Sequence, residues 1–91
     1  MPNIDPDIIS KARRDLAERL DVSENAISTM GVEQDDFPDA SLGAPVEDEM
    51  SAQVITPGWR IHLQAGGETY EYRATERQLR LVHFKGRNYR V

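Results

Sequence analysis

The side chains most capable of acid–base or metal chemistry are two histidines and a glutamate in the second half of the chain. His62 and Glu71 are expected to face each other across a β-hairpin, and His83 follows on a later strand. Two histidines without a fixed third ligand are a weak pattern for a metal site, and cross-strand His/Glu pairs are ordinary surface pairs. We therefore predict no catalytic residue, no metal site and no cofactor.

Ser41 is a further candidate, because a serine can act as a nucleophile. It would need a base to take its proton and donors to hold an oxyanion, and the sequence points to neither. In a stretch with prolines and a glycine, a serine hydroxyl is better placed to bond the local backbone. The seven carboxylates between Glu33 and Glu49 also lack the alternating spacing and the glycine of calcium loops. We predict that the chain is not an enzyme.

The elements that would position these groups are organised around a hairpin. Gly66-Gly67 lies between two runs of alternating residues, and glycine reaches the positive φ angles of tight hairpin turns. With that turn Ala65 faces Glu68, and a slip of one residue would expose one strand's aromatic side chains. The register predicts a core face of Trp59, Ile61, Leu63, Tyr70, Tyr72 and Ala74, and an outer face of Arg60, His62, Gln64, Thr69, Glu71 and Arg73.

Upstream of the hairpin the sequence predicts one amphipathic helix over residues 6–20. Asp5 is a good N-cap, Pro6 suits the first helical position, and apolar residues recur every three or four positions. The apolar stripe consists of Ile9, Ala12, Leu16 and Leu20, with Ile8 at its edge. Residues 26–33 are then expected to form a strand, with Gly31 at a bulge or a weakly paired position.

The remaining segments complete an α+β fold, with the N-terminal helix packed on an antiparallel sheet of about four strands. Residues 33–52 carry seven carboxylates, two prolines and no basic residue, which predicts a long acidic loop. Residues 53–84 are expected to form the sheet, including a strand over Leu79–Phe84. Whether the chain bends or bulges at Thr56-Pro57-Gly58 stays open. Residues 85–91 are expected to be a basic tail, with a short pairing edge as its alternative.

The net charge of −5 conceals an asymmetry. Residues 1–50 contain four basic and thirteen acidic side chains, whereas residues 51–91 contain seven basic and three acidic ones. We interpret this as an intramolecular match, with the acidic loop lying near the basic strands. Because overall acidity opposes phosphate binding, we do not expect nucleic acid as a partner.

Length and composition indicate one small domain over residues 1–91. The absence of cysteine favours a reducing compartment. The N-terminus lacks the basic lead and apolar run of a signal peptide, and no apolar run is long enough to cross a bilayer. We predict a cytoplasmic protein without membrane contact, present as a monomer or a weak dimer.

The best candidate for contact with another protein is the stretch from Phe37 to Pro45, a peptide-like loop stiffened by two prolines. The predicted binding residues are Phe37, Pro38, Asp39, Ser41, Leu42, Gly43 and Pro45. Two arrangements stay open at this point. The loop protrudes and binds, or it packs back over the sheet and its prolines are architectural.

Three motifs carry a resemblance to known sequences: Phe37-Pro38-Asp39-x-Ser41-Leu42-Gly43-x-Pro45, Gln53-Val54-x-Thr56-Pro57-Gly58-x-Arg60-Ile61, and Tyr70-x-Tyr72. Over roughly residues 8–84 the chain resembles uncharacterised bacterial domains with the pattern W-P-D-x-S-L-G-C-P, Q-V-x-x-P-G-Y-R-I and Y-E-Y-H. Here Phe37 replaces the tryptophan, Ala44 the cysteine and Arg73 the histidine, so the thiol or disulfide that the resemblance implies is absent. The resemblance implies no reaction, ligand or partner. More loosely, a helix followed by an antiparallel sheet resembles PepSY and cystatin-like domains, some of which are associated with peptidase inhibition.

These observations predict a non-enzymatic protein-interaction module with an unknown protein partner. One alternative is peptidase-inhibitor-like binding through Phe37–Pro45. Another is binding of single-stranded nucleic acid or a small ligand on the sheet, where aromatic side chains can stack on bases.

Overall fold

The computed structural model describes residues 4–91, which form one helix packed on an antiparallel sheet. Helix α1 spans Pro6–Leu20 and is followed by a 3-10 turn over Glu24–Ala26. The strands are β1 (Ser28–Phe37), β2 (Thr56–Ala65), β3 (Glu68–Ala74), β4 (Leu79–Phe84) and β5 (Arg87–Arg90). They lie in the order β1-β2-β3-β4-β5, so each strand pairs with its neighbours in sequence. The predicted α+β class is confirmed, but the sheet has five strands rather than four.

Helix α1 begins and ends as its capping residues dictate. The Asp5 carboxylate accepts a hydrogen bond from the backbone N–H of Asp7, and Pro6 occupies the first turn. At the other end Asp21 adopts the left-handed conformation that terminates many helices. The buried face contains Ala12, Leu16 and Ala17, and Ile8, Ile9 and Leu20 pack against the core at its edges. Within residues 4–91, no helix combines the length and hydrophobicity that crossing a bilayer requires.

The hairpin register is confirmed at every predicted pair, from Ala65 opposite Glu68 to Trp59 opposite Ala74. Ile61, Leu63, Tyr72 and Ala74 belong to the main core, and Tyr70 packs against it half-buried. The hydroxyl of Tyr72 donates to Asp15 on α1 at 2.7 Å, which ties the sheet to the helix. Trp59 is buried but lies outside that main cluster. The prediction that Trp59 lies on the buried face of the hairpin is confirmed, although the residue is not part of the cluster that packs with α1.

Strand β1 starts later and runs further than expected. The predicted strand over residues 26–33 becomes Ser28–Phe37, so the first five residues assigned to the acidic loop are in the sheet. Because aspartate is depleted in strands, the sequence did not indicate that β1 continues through Asp35 and Asp36. As the sheet's edge, however, β1 leaves its carboxylates in reach of solvent, and Asp35 bonds Arg60 of β2 at 2.6 Å. The predicted irregularity near Gly31 is present as a register shift between Thr29 and Gly31.

The last two strands also depart from the prediction. Residues 85–91 are not a tail, and the stated alternative of a short pairing edge is confirmed, because β5 pairs with β4. The Arg19 guanidinium lies 4.4 Å from the centre of the Tyr89 ring. The side chains of β4 stop alternating between the two faces of the sheet at His83, which has a positive φ of 53°. The register shifts there, so Phe84 joins Leu81 in the core while His83 is exposed.

At Thr56-Pro57-Gly58 the chain neither bends between two strands nor bulges, so both alternatives that the sequence left open are wrong. Thr56, Pro57 and Gly58 begin β2 as a continuous strand opposite the end of β1, and residues 53–55 are not part of a strand. Gly58 is required at this point, because a Cβ atom there would lie 2.3 Å from the Ala74 carbonyl oxygen. The aromatic ring of Phe37 fills the space beside it.

Candidate functional site

The loop that joins β1 to β2, residues 38–55, packs over the outer face of the sheet. Of the seven predicted binding residues, Phe37, Ser41 and Leu42 are buried, and Leu42 has no exposed surface at all. Asp39 is half-buried, and Pro38, Gly43 and Pro45 are exposed. Of the two arrangements that the sequence left open, the structure has the packed one.

Asp39 organises the first turn of this loop. One carboxylate oxygen accepts hydrogen bonds from the Ser41 hydroxyl at 2.6 Å and from the backbone N–H groups of Ser41 and Gly43. The bond from the Ser41 hydroxyl, with the backbone bonds, lowers the pKa of Asp39. The Ser41 hydroxyl is thus used within the turn, in place of the backbone partner expected from the sequence. The Asp-x-Ser-Leu-Gly motif therefore has a structural role.

Side chains from the sheet hold the loop down by its backbone carbonyl groups. Arg73 donates to the carbonyl of Leu42 at 2.8 Å, and Arg80 donates to that of Ala44 at 3.2 Å. Two side-chain amides act in the same way. Gln78 donates to the carbonyl oxygen of Ala40 at 2.8 Å, and Asn88 donates to that of Pro45 at 2.9 Å. These contacts follow the length of the loop, so β3, β4 and β5 together fix its path.

The strongest of these attachments is an ion pair between Arg80 of β4 and Glu49. Both terminal nitrogens of Arg80 donate to the two carboxylate oxygens, with Nη2 to Oε2 at 2.7 Å. The Arg80 side chain is only 4% exposed and that of Glu49 is 16% exposed. The hydrogen bonds from Arg80 lower the pKa of Glu49 from 4.5 to about 2. The intramolecular charge match inferred from the sequence is present in this pair.

The outer face of the hairpin holds a second charged cluster. Glu71 accepts hydrogen bonds from Arg60 at 3.0 Å and from Arg73 at 2.6 Å, and Arg60 also bonds Asp35. The hydrogen bond from Arg60 lowers the pKa of Asp35. Both guanidinium groups lie beside the Phe37 ring, at 5.3 and 5.5 Å from its centre. These contacts explain how four charged residues share a face with a buried aromatic ring.

The side chains of His62, Glu71 and His83 do not come together in one site. His62 faces Glu71 across the strands as expected, but its Nε2 lies 3.2 Å from Glu33, and Glu71 is engaged by the two arginines. His83 is exposed on the irregular part of β4. Among residues 4–91, no group of three histidine, aspartate or glutamate side chains could hold a metal ion.

A groove lies at the opposite end of the sheet from the hairpin turn. Its volume is about 680 Å³, within the range of small-molecule and peptide side-chain sites. The groove is lined by the end of β1, the start of β2, the β3–β4 turn and one loop residue: Gln34, Asp35, Asp36, Ala40, Thr56, Pro57, Gly58, Trp59, Thr75, Glu76, Arg77 and Gln78. Trp59, the single tryptophan of the chain, contributes an indole that is 8% exposed.

Sequence reasoning missed this groove, although element lengths contain a signal for it. A helix of fifteen residues is about 22 Å long, whereas a strand of ten residues is about 33 Å long. The helix therefore cannot cover the inner face of β2 from end to end. Trp59 lies near the start of β2, on the part of that face that the main core does not include.

Exposed apolar side chains lie close to the groove in the chain. Ile55 is 73% exposed and Val54 is 50% exposed, directly before the groove residue Thr56. On the edge strand β1, Met30 and Val32 are also exposed. Single exposed apolar residues need no explanation, but Val54 and Ile55 directly precede the groove in the chain, and Met30 and Val32 lie on the strand whose end lines it. The groove with the neighbouring half of β1 is therefore the candidate binding site.

Comparison with known proteins gives a family without a function. No curated protein and no solved structure matches the chain. A family model described as a domain of unknown function (DUF8738) matches residues 9–83, which include most of α1 and most of the sheet. Because the match covers most of the chain, this protein belongs to the DUF8738 family.

Proposed function

We propose that this chain is a non-catalytic protein-interaction module that binds a segment of its partner in the groove beside Trp59. The observation that carries the proposal is the cavity of about 680 Å³ that places the nearly buried indole next to the edge strand β1. Aromatic side chains in pockets are frequent centres of binding energy at protein interfaces. The exposed Val54 and Ile55 beside it offer additional apolar contact.

The proposal moves the binding surface away from the Phe37–Pro45 loop. A binding role for that loop required accessible side chains, whereas Ser41 and Leu42 have no exposed surface. The peptidase-inhibitor alternative and its PepSY or cystatin analogy rested on the same protruding loop, so they lose their physical support. Base stacking on the sheet is likewise poorly supported, because Tyr72 is fully buried and Tyr70 packs on the core.

The test uses a library of random heptapeptides displayed on phage, selected against the purified protein. Selected peptides are synthesised and titrated while the fluorescence of Trp59 is recorded. Because the chain has one tryptophan, a change in emission reports on the groove. We expect saturable binding with a shifted emission maximum.

Variants decide whether binding occurs in the groove. Ala40→Phe places a ring in the groove, since Ala40 lines it and is half-buried. Glu18→Lys is the control, because Glu18 is exposed on α1 and outside the groove. Binding should be lost in the first variant and kept in the second, with both melting cooperatively. Failure to select any peptide, or equal binding by Ala40→Phe and the parent chain, would contradict the proposal.

A further inference from the structure

We infer, resting on the proposed function, that the segment bound in the groove is a proline-rich peptide in the polyproline II conformation that ends in a basic residue. A backbone carbonyl of this peptide accepts a hydrogen bond from the indole N–H of Trp59. Three features of the groove carry the inference: a hydrogen-bond donor without an acceptor, a gap between two rings, and a negative rim.

The free donor is the indole N–H of Trp59. The residue is only 8% exposed, yet no acceptor within residues 4–91 bonds its Nε1–H. Every fully buried polar side-chain atom in this part of the chain does have a partner, so Nε1 must reach open space. The groove is the open space that Trp59 lines. Because a buried tryptophan usually has a partner for its N–H, the groove offers a donor that a ligand oxygen can satisfy.

Other polar side chains of the groove are already used within the chain. Gln78 donates to the carbonyl oxygen of Ala40, and the Thr56 hydroxyl donates to that of Val54. A polyproline II segment suits what remains, because its carbonyl groups point outward and its prolines bring no N–H that would need an acceptor in return. Such a peptide is recognised in aromatic-lined grooves and needs no free strand edge.

The gap lies between Pro57 and Trp59. These residues are two positions apart in β2, so they lie on the same face of the sheet with Cα atoms about 7 Å apart. Both line the groove. A gap of this size admits one further ring at about 3.5–4.0 Å from each neighbour. A proline ring of the ligand therefore fits between the Pro57 ring and the indole.

The rim selects the charge that follows the prolines. Asp36 is exposed and lies opposite Pro57 in the register of β1 and β2. Across the groove, Glu76 and Arg77 offset each other in charge. Asp36 therefore leaves the rim negative, which attracts a basic residue of the ligand and opposes an acidic one.

Three capped heptapeptides test this inference. The first has six prolines followed by arginine, the second has six prolines followed by glutamate, and the third alternates proline and glycine before the same arginine. Each is titrated while the Trp59 indole N–H is followed by NMR, and we expect the first to move its proton resonance downfield. The first should bind about fivefold or more tightly than either of the others, because glutamate removes the charge attraction and glycine removes the preformed conformation.

Variants locate the hydrogen bond. Trp59→Phe keeps a ring but removes the N–H, and calorimetric titration should show about fivefold weaker binding of the proline–arginine peptide. Tyr70→Phe is the matched control, since it removes a hydroxyl that bonds Glu68 outside the groove, and it should bind as the parent does. Asp36→Asn should weaken the arginine peptide and leave the glutamate peptide no weaker. If Trp59→Phe does not melt cooperatively, the indole resonance of the parent and the Asp36→Asn titration still decide.

Four outcomes would overturn the inference. The peptide could bind without moving the indole proton, or Trp59→Phe and Tyr70→Phe could bind it equally, and either result would remove the hydrogen bond. Equal binding of the glycine-containing peptide would remove the polyproline II conformation. Equal binding of the glutamate peptide would remove the role of the rim.

The remaining outcomes separate this inference from the proposed function. If peptides selected on phage lack proline and shift Trp59 emission, while the proline–arginine peptide does not bind, the inference fails and the groove remains a binding site. If the indole resonance moves with protein concentration alone, a second copy of the chain occupies the groove and the inference also fails. If neither the selected peptides nor the proline peptides bind, both proposals fail together.

Discussion

Replacing Glu49 with glutamine should loosen the β1–β2 loop from the outer face of the sheet. In the parent chain the Glu49 carboxylate neutralises Arg80 and also accepts a hydrogen bond from the backbone N–H of Val46. Arg80 is 3% exposed, so the substitution leaves a guanidinium without its counter-charge in a water-poor position. Glutamine retains one acceptor oxygen, but it supplies no negative charge.

The size of the expected loss of stability follows from the burial of Glu49 and Arg80. Removing one member of a fully buried pair costs about 3–5 kcal/mol, because the other charge remains desolvated. Here the cost is reduced, since Arg80 keeps its bonds to Ala44 and Gln78, and the Glu49 side chain retains 16% exposure. We therefore expect a loss of about 2 kcal/mol in the free energy of unfolding, or about 10 °C in Tm for a domain of this size.

Urea denaturation at pH 7, followed by circular dichroism, measures this difference. Glu47→Gln is the matched control, because Glu47 lies two residues away in the same loop and is exposed. It makes the same chemical change and should stay within about 0.5 kcal/mol of the parent. Arg80→Met and the double variant complete a mutant cycle, in which we expect a coupling energy of about 2 kcal/mol between the two positions.

The pH dependence gives an independent check on the same pair. Because the pKa of Glu49 is lower in the folded chain, the unfolded chain takes up the proton first. The stabilisation is complete above pH 4.5 and is lost as pH falls towards 2. The parent should therefore approach Glu49→Gln in stability across that range. The reasoning would be refuted if Glu49→Gln were as stable as Glu47→Gln at pH 7 and if its free energy of unfolding fell with pH in parallel with that of the parent.

Three further substitutions test the packing of the sheet and the loop. Leu42→Ala should cost about 2–3 kcal/mol in urea denaturation, since the side chain is fully buried, whereas a loss under 0.5 kcal/mol would mean that the loop stands free in solution. Gly58→Ala should cost more than about 2 kcal/mol, because its Cβ would meet the Ala74 carbonyl oxygen; a parent-like Tm would show that β2 and β3 separate easily at this point. Tyr72→Phe removes the hydroxyl that bonds Asp15 and should cost about 1 kcal/mol, and an unchanged stability would count against that contact between helix and sheet.

The parts of the fold that could be predicted are those set by local chemistry. Asp5 and Pro6 specify the start of α1, and Gly66-Gly67 specifies a turn from which the register of β2 and β3 follows. The path of the β1–β2 loop could be anticipated only as one of two alternatives. Its position depends on Arg73 and Arg80, which lie thirty or more residues away and bond carbonyl groups that every loop possesses.

The candidate site was not predicted, for a related reason. A motif with prolines and a serine drew attention to Phe37–Pro45, whereas the groove is formed by pieces of four separate segments. Trp59 occupies a position in β2 where the apolar/polar alternation predicts a core residue. That alternation does not show where the helix that covers the sheet ends. Similarly, the carboxylates of Glu33–Asp36 suggested a loop, because their cross-strand partners Arg60 and His62 are distant in sequence.

The measurement that tests the central claim most directly is a two-dimensional ¹⁵N NMR titration of the full chain with a heptapeptide selected on phage against the protein. If the groove is the binding surface, the largest shifts will fall on the Trp59 indole N–H and on the amides of residues 34–36 and 75–78, which line it. Amides of residues 41–49, which the sheet holds in place, will move little. Shifts concentrated in that loop or along α1, with a silent indole, would contradict the account.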